Sequence, residues 1–179
     1  MPRYVSLLRG INVAGRNKVP MAELRDLHEL LGHGNVISYI QSGNVIFDAP
    51  KTKLSELSTT IEKAIAGRFG FEVPVVMRTA EQIELAIAAS PFDDGHAAPN
   101  WRFIAFLSEP PSQTEFDGEV FAPDVFTVEG DHAHVLLPNG AAKSKLTTNY
   151  LEKALGVRAT LRNHNTVNKI IGLAQQPDS

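Results

Sequence analysis

Residues 3–8, RYVSLL, alternate between the two faces of an extended chain and predict a strand. Pro20 follows, at a position suited to the first turn of a helix, where its missing N–H costs nothing. Leu24, Leu27 and Leu31 then fall on one helical face, with Gly32 and Gly34 closing the segment. His28 lies on that same face and reads as a core histidine with a satisfied ring. The stretch VISYIQSGNVIFDA, residues 36–49, is too long for one strand. It reads as two strands joined at Ser42-Gly43, where glycine supplies the positive φ of a tight turn. In KLSELSTTIEKAIAGRFG, residues 53–70, Leu54, Leu57, Ile61, Ile65 and Phe69 recur at helical spacing, and Gly70 is placed to cap the helix. EVPVVMR, residues 72–78, is a fourth strand. The order β-α-β-β-α-β is that of a ferredoxin-like unit.

The pattern then restarts. Thr79 and Gln82 have capping-box spacing at the head of a connecting helix over TAEQIELAIAA, residues 79–89. WRFIAFL, residues 101–107, is a strand that Trp101 begins. DVFTVEGDHAHVLLP, residues 124–138, is a hairpin turning at Glu129-Gly130-Asp131. A helix over SKLTTNYLEKALG (144–156), a strand over RATLR (158–162) and a last helix over NTVNKIIGLA (165–174) complete the chain. Residues 112–120, where a matching helix belongs, carry little apolar material and follow two prolines. QQPDS at the end reads as frayed. The predicted fold class is α+β: two tandem ferredoxin-like (βαββαβ) repeats with mainly antiparallel sheets and an extra C-terminal helix. The expected divisions are 1–78, a connecting helix and loop over 79–100, and 101–179, with little sequence shared between the halves.

Composition sets outer bounds. The chain has 179 residues, 43% of them hydrophobic and 21% charged, as in an ordinary soluble globular protein. Its apolar runs fall well short of the ~20 residues that span a bilayer, so no membrane partner is expected. An arginine interrupts the early apolar stretch and no small-residue cleavage site follows, which argues against a secretory signal. There is no cysteine, which excludes disulfides, thiolate nucleophiles and cysteine-held metals and fits a cytoplasmic location. Charge is unevenly spread. Residues 91–132 hold nine acids and one base, and residues 141–172 hold six bases and one acid.

The candidate chemistry begins at LLRGINVAGRNKVPM, residues 7–21. Arg3, Arg9, Arg16 and Lys18 all precede the first acid, Glu23. Arg9, Asn12, Arg16 and Lys18 fall on a loop that runs into a helix N-terminus, whose free N–H groups and dipole favour an anion. Arginine offers a two-pronged fork for phosphate or carboxylate, and lysine a point charge. The loop is not a phosphate-binding Walker loop, because no Gly-Lys-Ser/Thr ending is present. Gln41, Ser42 and Asn44 add polar groups at a hairpin tip, and Gln41 has no role in strand pairing. LRNHNTVNKI gathers Arg162, Asn163, His164, Asn165 and Lys169 at another helix start, where one asparagine suffices as the N-cap. Lys143, Ser144 and Lys145 stand ahead of a third. The ligand-binding candidates are thus Arg9, Asn12, Arg16, Lys18, Gln41, Ser42, Asn44, Arg162, Asn163 and Asn165. His132 and His134 share one strand face and have the spacing to ligate a metal with Asp131, His96 or Asp94, but the stronger reading is an exposed polar strand. No metal or cofactor is expected. No nucleophile elbow, catalytic cysteine or ordered Ser-His-Asp set occurs, and no catalytic residue is assigned.

The segments LLRGINVAGRNKVPMAELR, YIQSGNVIF and LRNHNTVNKI, in that order, resemble the bacterial family called domain of unknown function 1697. The resemblance covers nearly the whole chain. It implies a small cytoplasmic protein with two ferredoxin-like repeats, and it implies no activity. The chain departs from the family at His164, where an aromatic residue, mostly tryptophan, is usual. The leading functional expectation is a binding module for an anionic, phosphorylated ligand or for nucleic acid, the small ligand being favoured because no RNP-like string occurs. The alternatives are a small enzyme on a phosphorylated or carboxylated substrate, with His164 or a carboxylate moving protons, and a structural or protein-interaction domain.

Overall fold

The computed structural model describes residues 1–93, 98–116 and 121–177. Two compact units are present, Met1–Ile83 with Ile170–Ser179, and Glu84–Lys169. In the first, β1 (Arg3–Leu8), α1 (Met21–Leu30), β2 (Gly34–Tyr39), β3 (Asn44–Asp48), α2 (Leu54–Phe69) and β4 (Val75–Thr79) follow one another. The four strands form one sheet in the order β2-β3-β1-β4, with antiparallel neighbours throughout. Tyr4, Leu8, Val45, Phe47, Val75 and Met77 point from one sheet face to Leu24, Leu27, Leu57, Ile61 and Ile65 of the helices. Each such side chain contributes about 1.5–3 kcal/mol through burial. His28 is wholly buried among them, and its Nδ1 lies 3.0 Å from Nδ1 of His33. Gly70, at φ +79, ends α2 in the left-handed conformation expected of a glycine cap.

The helix α3 (Ala80–Ala88) opens with the predicted capping box: Thr79 N donates to Gln82 Oε1 at 2.9 Å and Gln82 N to Thr79 Oγ1 at 3.2 Å. Next come β5 (Arg102–Leu107), β6 (Val125–Glu129), β7 (His132–Leu136), α4 (Thr148–Leu155), β8 (Ala159–Asn163) and α5 (His164–Ala174). Their sheet runs β6-β7-β5-β8, again antiparallel, and repeats the first topology. The fold is therefore α+β, with two four-stranded antiparallel sheets arranged as tandem ferredoxin-like repeats. No α-helix occurs among the described residues between β5 and β6, and residues 117–120 of the weakest helical stretch lie outside them. No helix among the described residues is long and apolar enough to cross a membrane.

One expectation is corrected. The fourth helix starts at Thr148 rather than Ser144, because Thr147 Oγ1 accepts from Tyr150 N as the N-cap, while Ser144 Oγ donates to Asp124 Oδ2 at 2.6 Å. Lys143 and Lys145 thus stand outside that helix start. The central and closing strands of the two halves nonetheless follow a common pattern. RYVSLL of β1 and RFIAFL of β5 correspond position by position, from Arg3 and Arg102 to Leu8 and Leu107. The closing strands match too: Arg78 and Arg162 are both buried, and each donates through Nη1 to the carbonyl of the preceding residue, Met77 or Leu161.

Candidate functional site

In the first unit, the loop 9–20 and the β2–β3 turn are brought together. Asn12 Nδ2 donates to Val19 O at 3.0 Å and to Gln41 O at 2.8 Å, and Asn12 Oδ1 accepts from Val19 N at 2.8 Å. Asn17 Nδ2 donates to Gly10 O at 3.1 Å. Asn44 is fully buried and donates to Tyr39 O at 2.9 Å and Ser42 Oγ at 3.2 Å, shaping the turn from inside. These bonds hold an unusual backbone: Asn12, Ala14 and Asn17 have φ of 54°, 50° and 49°, and Ile40 in the facing turn has 50°. Asparagine tolerates this region, but Ala14 and Ile40 each carry about 1–2 kcal/mol of strain there. Gly43, at φ +85, is fixed by contact as well, since a Cβ would stand 2.7 Å from Ile11 Cδ1 and 2.8 Å from Leu8 Cβ.

What this scaffold presents is basic. Arg16 and Lys18 are exposed, and neither has an ion-pair partner among the described residues, while Arg9 is half-buried. The helix α1 that follows has Pro20 at its N-cap and no side-chain cap, so its first N–H groups have no side-chain acceptor. Asn12 and Asn44, read from the sequence as ligand contacts, spend their amides on holding the loop and turn. Gln41 stays exposed and Ser42 half-exposed. Sequence reasoning missed Asn17 as a lock. An asparagine within a Gly-rich loop, able to enter the left-handed region, was the signal available.

The third motif lies in the second unit and divides differently from its expected role. Arg162 is buried, donates through Nη1 to Thr160 Oγ1 at 2.7 Å, and has its pKa lowered to about 10 by burial. Asn163 is the cap of α5, its Oδ1 accepting from Thr166 N at 2.8 Å. Asn165 is exposed. His164 is buried; burial first, then Arg102 and His134 nearby, push its pKa down to about 4, so its ring is neutral at pH 7. Lys143 and Lys145 line a concavity of about 460 Å³ with Phe121, Asp124 and Asn139.

The strand carrying His132 and His134 is not the exposed polar face expected. His134 is 0% exposed; its Nδ1 has no hydrogen-bond partner, and its Nε2 faces Glu129 Oε2 at 3.5 Å. Register places Thr127, His134, Ile104 and Arg162 in one row across the sheet, and Glu129, His132, Phe106 and Thr160 in the next. This face is opposite the apolar core of the unit. Asp94 and His96 lie outside the described residues. Arg102 is tied to Asp93 at 2.7 Å.

A comparison with curated proteins finds no match. The structure of the conserved bacterial protein SP0830 from Streptococcus pneumoniae is similar over 97% of this chain and 99% of that one, with a TM-score of 0.73 and 25% identity. The family described as protein of unknown function (DUF1697) matches residues 1–133, which contain the basic loop, the hairpin tip and the first six strands. On that match, the chain belongs to the DUF1697 family.

Proposed function

We propose that this chain is a binding module for a small phosphorylated ligand, held at the loop 9–20 beside the N-terminus of α1. The observation that carries the reading is a strained backbone, locked by Asn12 and Asn17, that presents Arg16 and Lys18 to solvent without ion-pair partners among the described residues. Left-handed non-glycine residues cost free energy and persist where surrounding structure holds them, typically at ligand sites. Arg16 supplies a fork for phosphate oxygens, Lys18 a second charge, and the first N–H groups of α1 a positive dipole end. Asn12 and Asn44 shape the site, and Gln41 and Ser42 border it.

A nucleic acid is a weaker fit. Ferredoxin-like sheets that bind RNA stack bases on an open sheet face. Here both faces of the central strands are buried: Val5 and Leu7 of β1 and Ile104 and Phe106 of β5 are at most 1% exposed.

Thermal unfolding with phosphate, nucleotides, sugar phosphates, carboxylates and short RNA, at low and high salt, tests the proposal. A ligand at about 100 times its Kd stabilises by about 2.7 kcal/mol, and salt weakens an exposed electrostatic site. The double variant Arg16→Ala/Lys18→Ala abolishes that shift and leaves the unliganded stability unchanged. A survey in which no anion moves the transition, or one in which the double variant responds as the wild type does, rejects the site.

A further inference from the structure

We propose that Glu129, His132 and His134 form a binding site for a first-row divalent metal ion such as Zn²⁺, at the β6–β7 hairpin of the second unit. The inference is independent of the anion site. One ligand atom from each residue lies within 4.8 Å of the other two. The geometry follows from the hairpin itself. His132 and His134 alternate onto one face of β7, and Glu129 is the cross-strand partner of His132 on β6. His134 Nε2 stands 3.5 Å from Glu129 Oε2, close to the edge of a tetrahedron whose metal–ligand bonds are about 2.0–2.1 Å.

A second observation points to a ligand. His134 is completely buried, its Nδ1 has no partner and its Nε2 meets only the Glu129 carboxylate at 3.5 Å, and His132 Nε2 is buried and unpartnered. A buried ring nitrogen that makes no hydrogen bond costs about 1–3 kcal/mol in desolvation, a cost that coordination removes at the nitrogen bound to the metal. On its other side, His132 Nδ1 faces Asp131 Oδ1 at 3.6 Å, the carboxylate-beside-imidazole arrangement that orients metal-bound histidines. Charge is compatible. Glu129 and Asp131 together balance a divalent ion, and Ile104 separates His134 from Arg162 in the sheet row. Glu129 is exposed on an edge strand, which gives an ion a way in and lets the carboxylate close onto it. Two imidazoles and one carboxylate leave coordination positions open to water or a substrate oxygen.

The test uses the full chain, free of any polyhistidine tag. Titration with Zn²⁺ by calorimetry and with Co²⁺ by visible absorption reads stoichiometry, affinity and ligand field. We expect one equivalent bound, visible d–d bands with Co²⁺, and affinity at least about 10-fold weaker in each of Glu129→Gln and His132→Gln. Both sites are on the hairpin rim, and circular dichroism checks that the variants fold. His33→Gln, which disrupts the other histidine pair, leaves binding unchanged. Absence of saturable binding to the wild type overturns the site. So does binding that survives a folded Glu129→Gln/His132→Gln double variant, or that His33→Gln removes.

Discussion

β1 and β5 carry chemically similar residues at six matching positions and hold the same place in two sheets of equivalent order, yet their units differ in where they add polar groups. Facing the helices the two agree: Tyr4 and Leu8 in one, Phe103 and Leu107 in the other, are core. On the second face they part. In the first sheet Val5, Leu7, Ile46 and Val76 lie beside Asn44, Arg78 and the Arg3–Asp48 ion pair at the end of the face. In the second, Arg102, His132, His134, Thr160 and Arg162 surround Ile104 and Phe106. Among the described residues, the first unit has no histidines on that face and gathers further polar groups in the loop 9–20 and the β2–β3 turn. A repeated backbone thus needs only its helix-facing residues kept, and loops and second faces are free to acquire separate chemistry.

The sharpest contrast is between the turns. Gly43→Ala in the first hairpin meets Ile11 and Leu8 and adds a Cβ at φ +85, whereas Gly130 of the second, at φ +59, has nothing within 4 Å of where its Cβ would be. Left-handed strain and overpacking together make Gly43→Ala cost about 3 kcal/mol, against about 1 kcal/mol for Gly130→Ala. Chemical denaturation of the two variants measures the difference, and equal costs would mean that the first turn is no tighter than the second.

Acid acts on both units, through His28 in the first and His164 in the second. His28 of the first is driven down to a pKa of about 3 by burial and then by His33. A histidine with a folded pKa below its unfolded value of about 6.5 leaves the unfolded chain binding more protons as pH falls. Its contribution is complete above pH 6.5 and is lost progressively between 6.5 and about 3. From pH 7 to 5 that amounts to about 2 kcal/mol, and His28→Leu flattens the profile by this share. An unchanged profile in the variant would show that the buried ring titrates normally.

The asparagines differ more modestly. Asn12→Ala loses three hydrogen bonds and puts alanine at φ 54, a cost of about 2 kcal/mol. Asn163→Ala loses only the cap of α5, about 1 kcal/mol. Amide exchange in residues 10–19 rises in the first variant alone, and rises in neither if Asn12 is a bystander.

Much of this fold was legible because its signals are local. Alternation marked the strands, helical spacing marked α2, and Thr79 with Gln82 announced α3 within four residues. What escaped was non-local. Asn12 holds Gln41 across 29 positions. Ser144 is claimed by Asp124, 20 residues earlier, so Thr147 caps α4. Alternation showed that His132 and His134 share a face but carries no information on whether that face is covered. The basic loop was readable as composition; that its asparagines serve the backbone depends on partners no spacing reveals.

The smallest effect tests the repeat most directly. Ser6 and Ala105 occupy corresponding central positions, both wholly buried, and Ser6 Oγ has no hydrogen-bond partner. An unsatisfied buried hydroxyl is a net cost, so Ser6→Ala, which copies the second unit's residue into the first, is neutral or stabilises by up to about 1 kcal/mol. The reciprocal Ala105→Ser introduces the same orphan and destabilises by about 1–3 kcal/mol. Opposite signs in urea midpoints establish that the two strands stand in equivalent apolar environments and that the serine is tolerated rather than used. A Ser6→Ala variant weaker than wild type by 1 kcal/mol or more would mean that the hydroxyl has an acceptor, and that the first unit holds a polar feature its twin lacks.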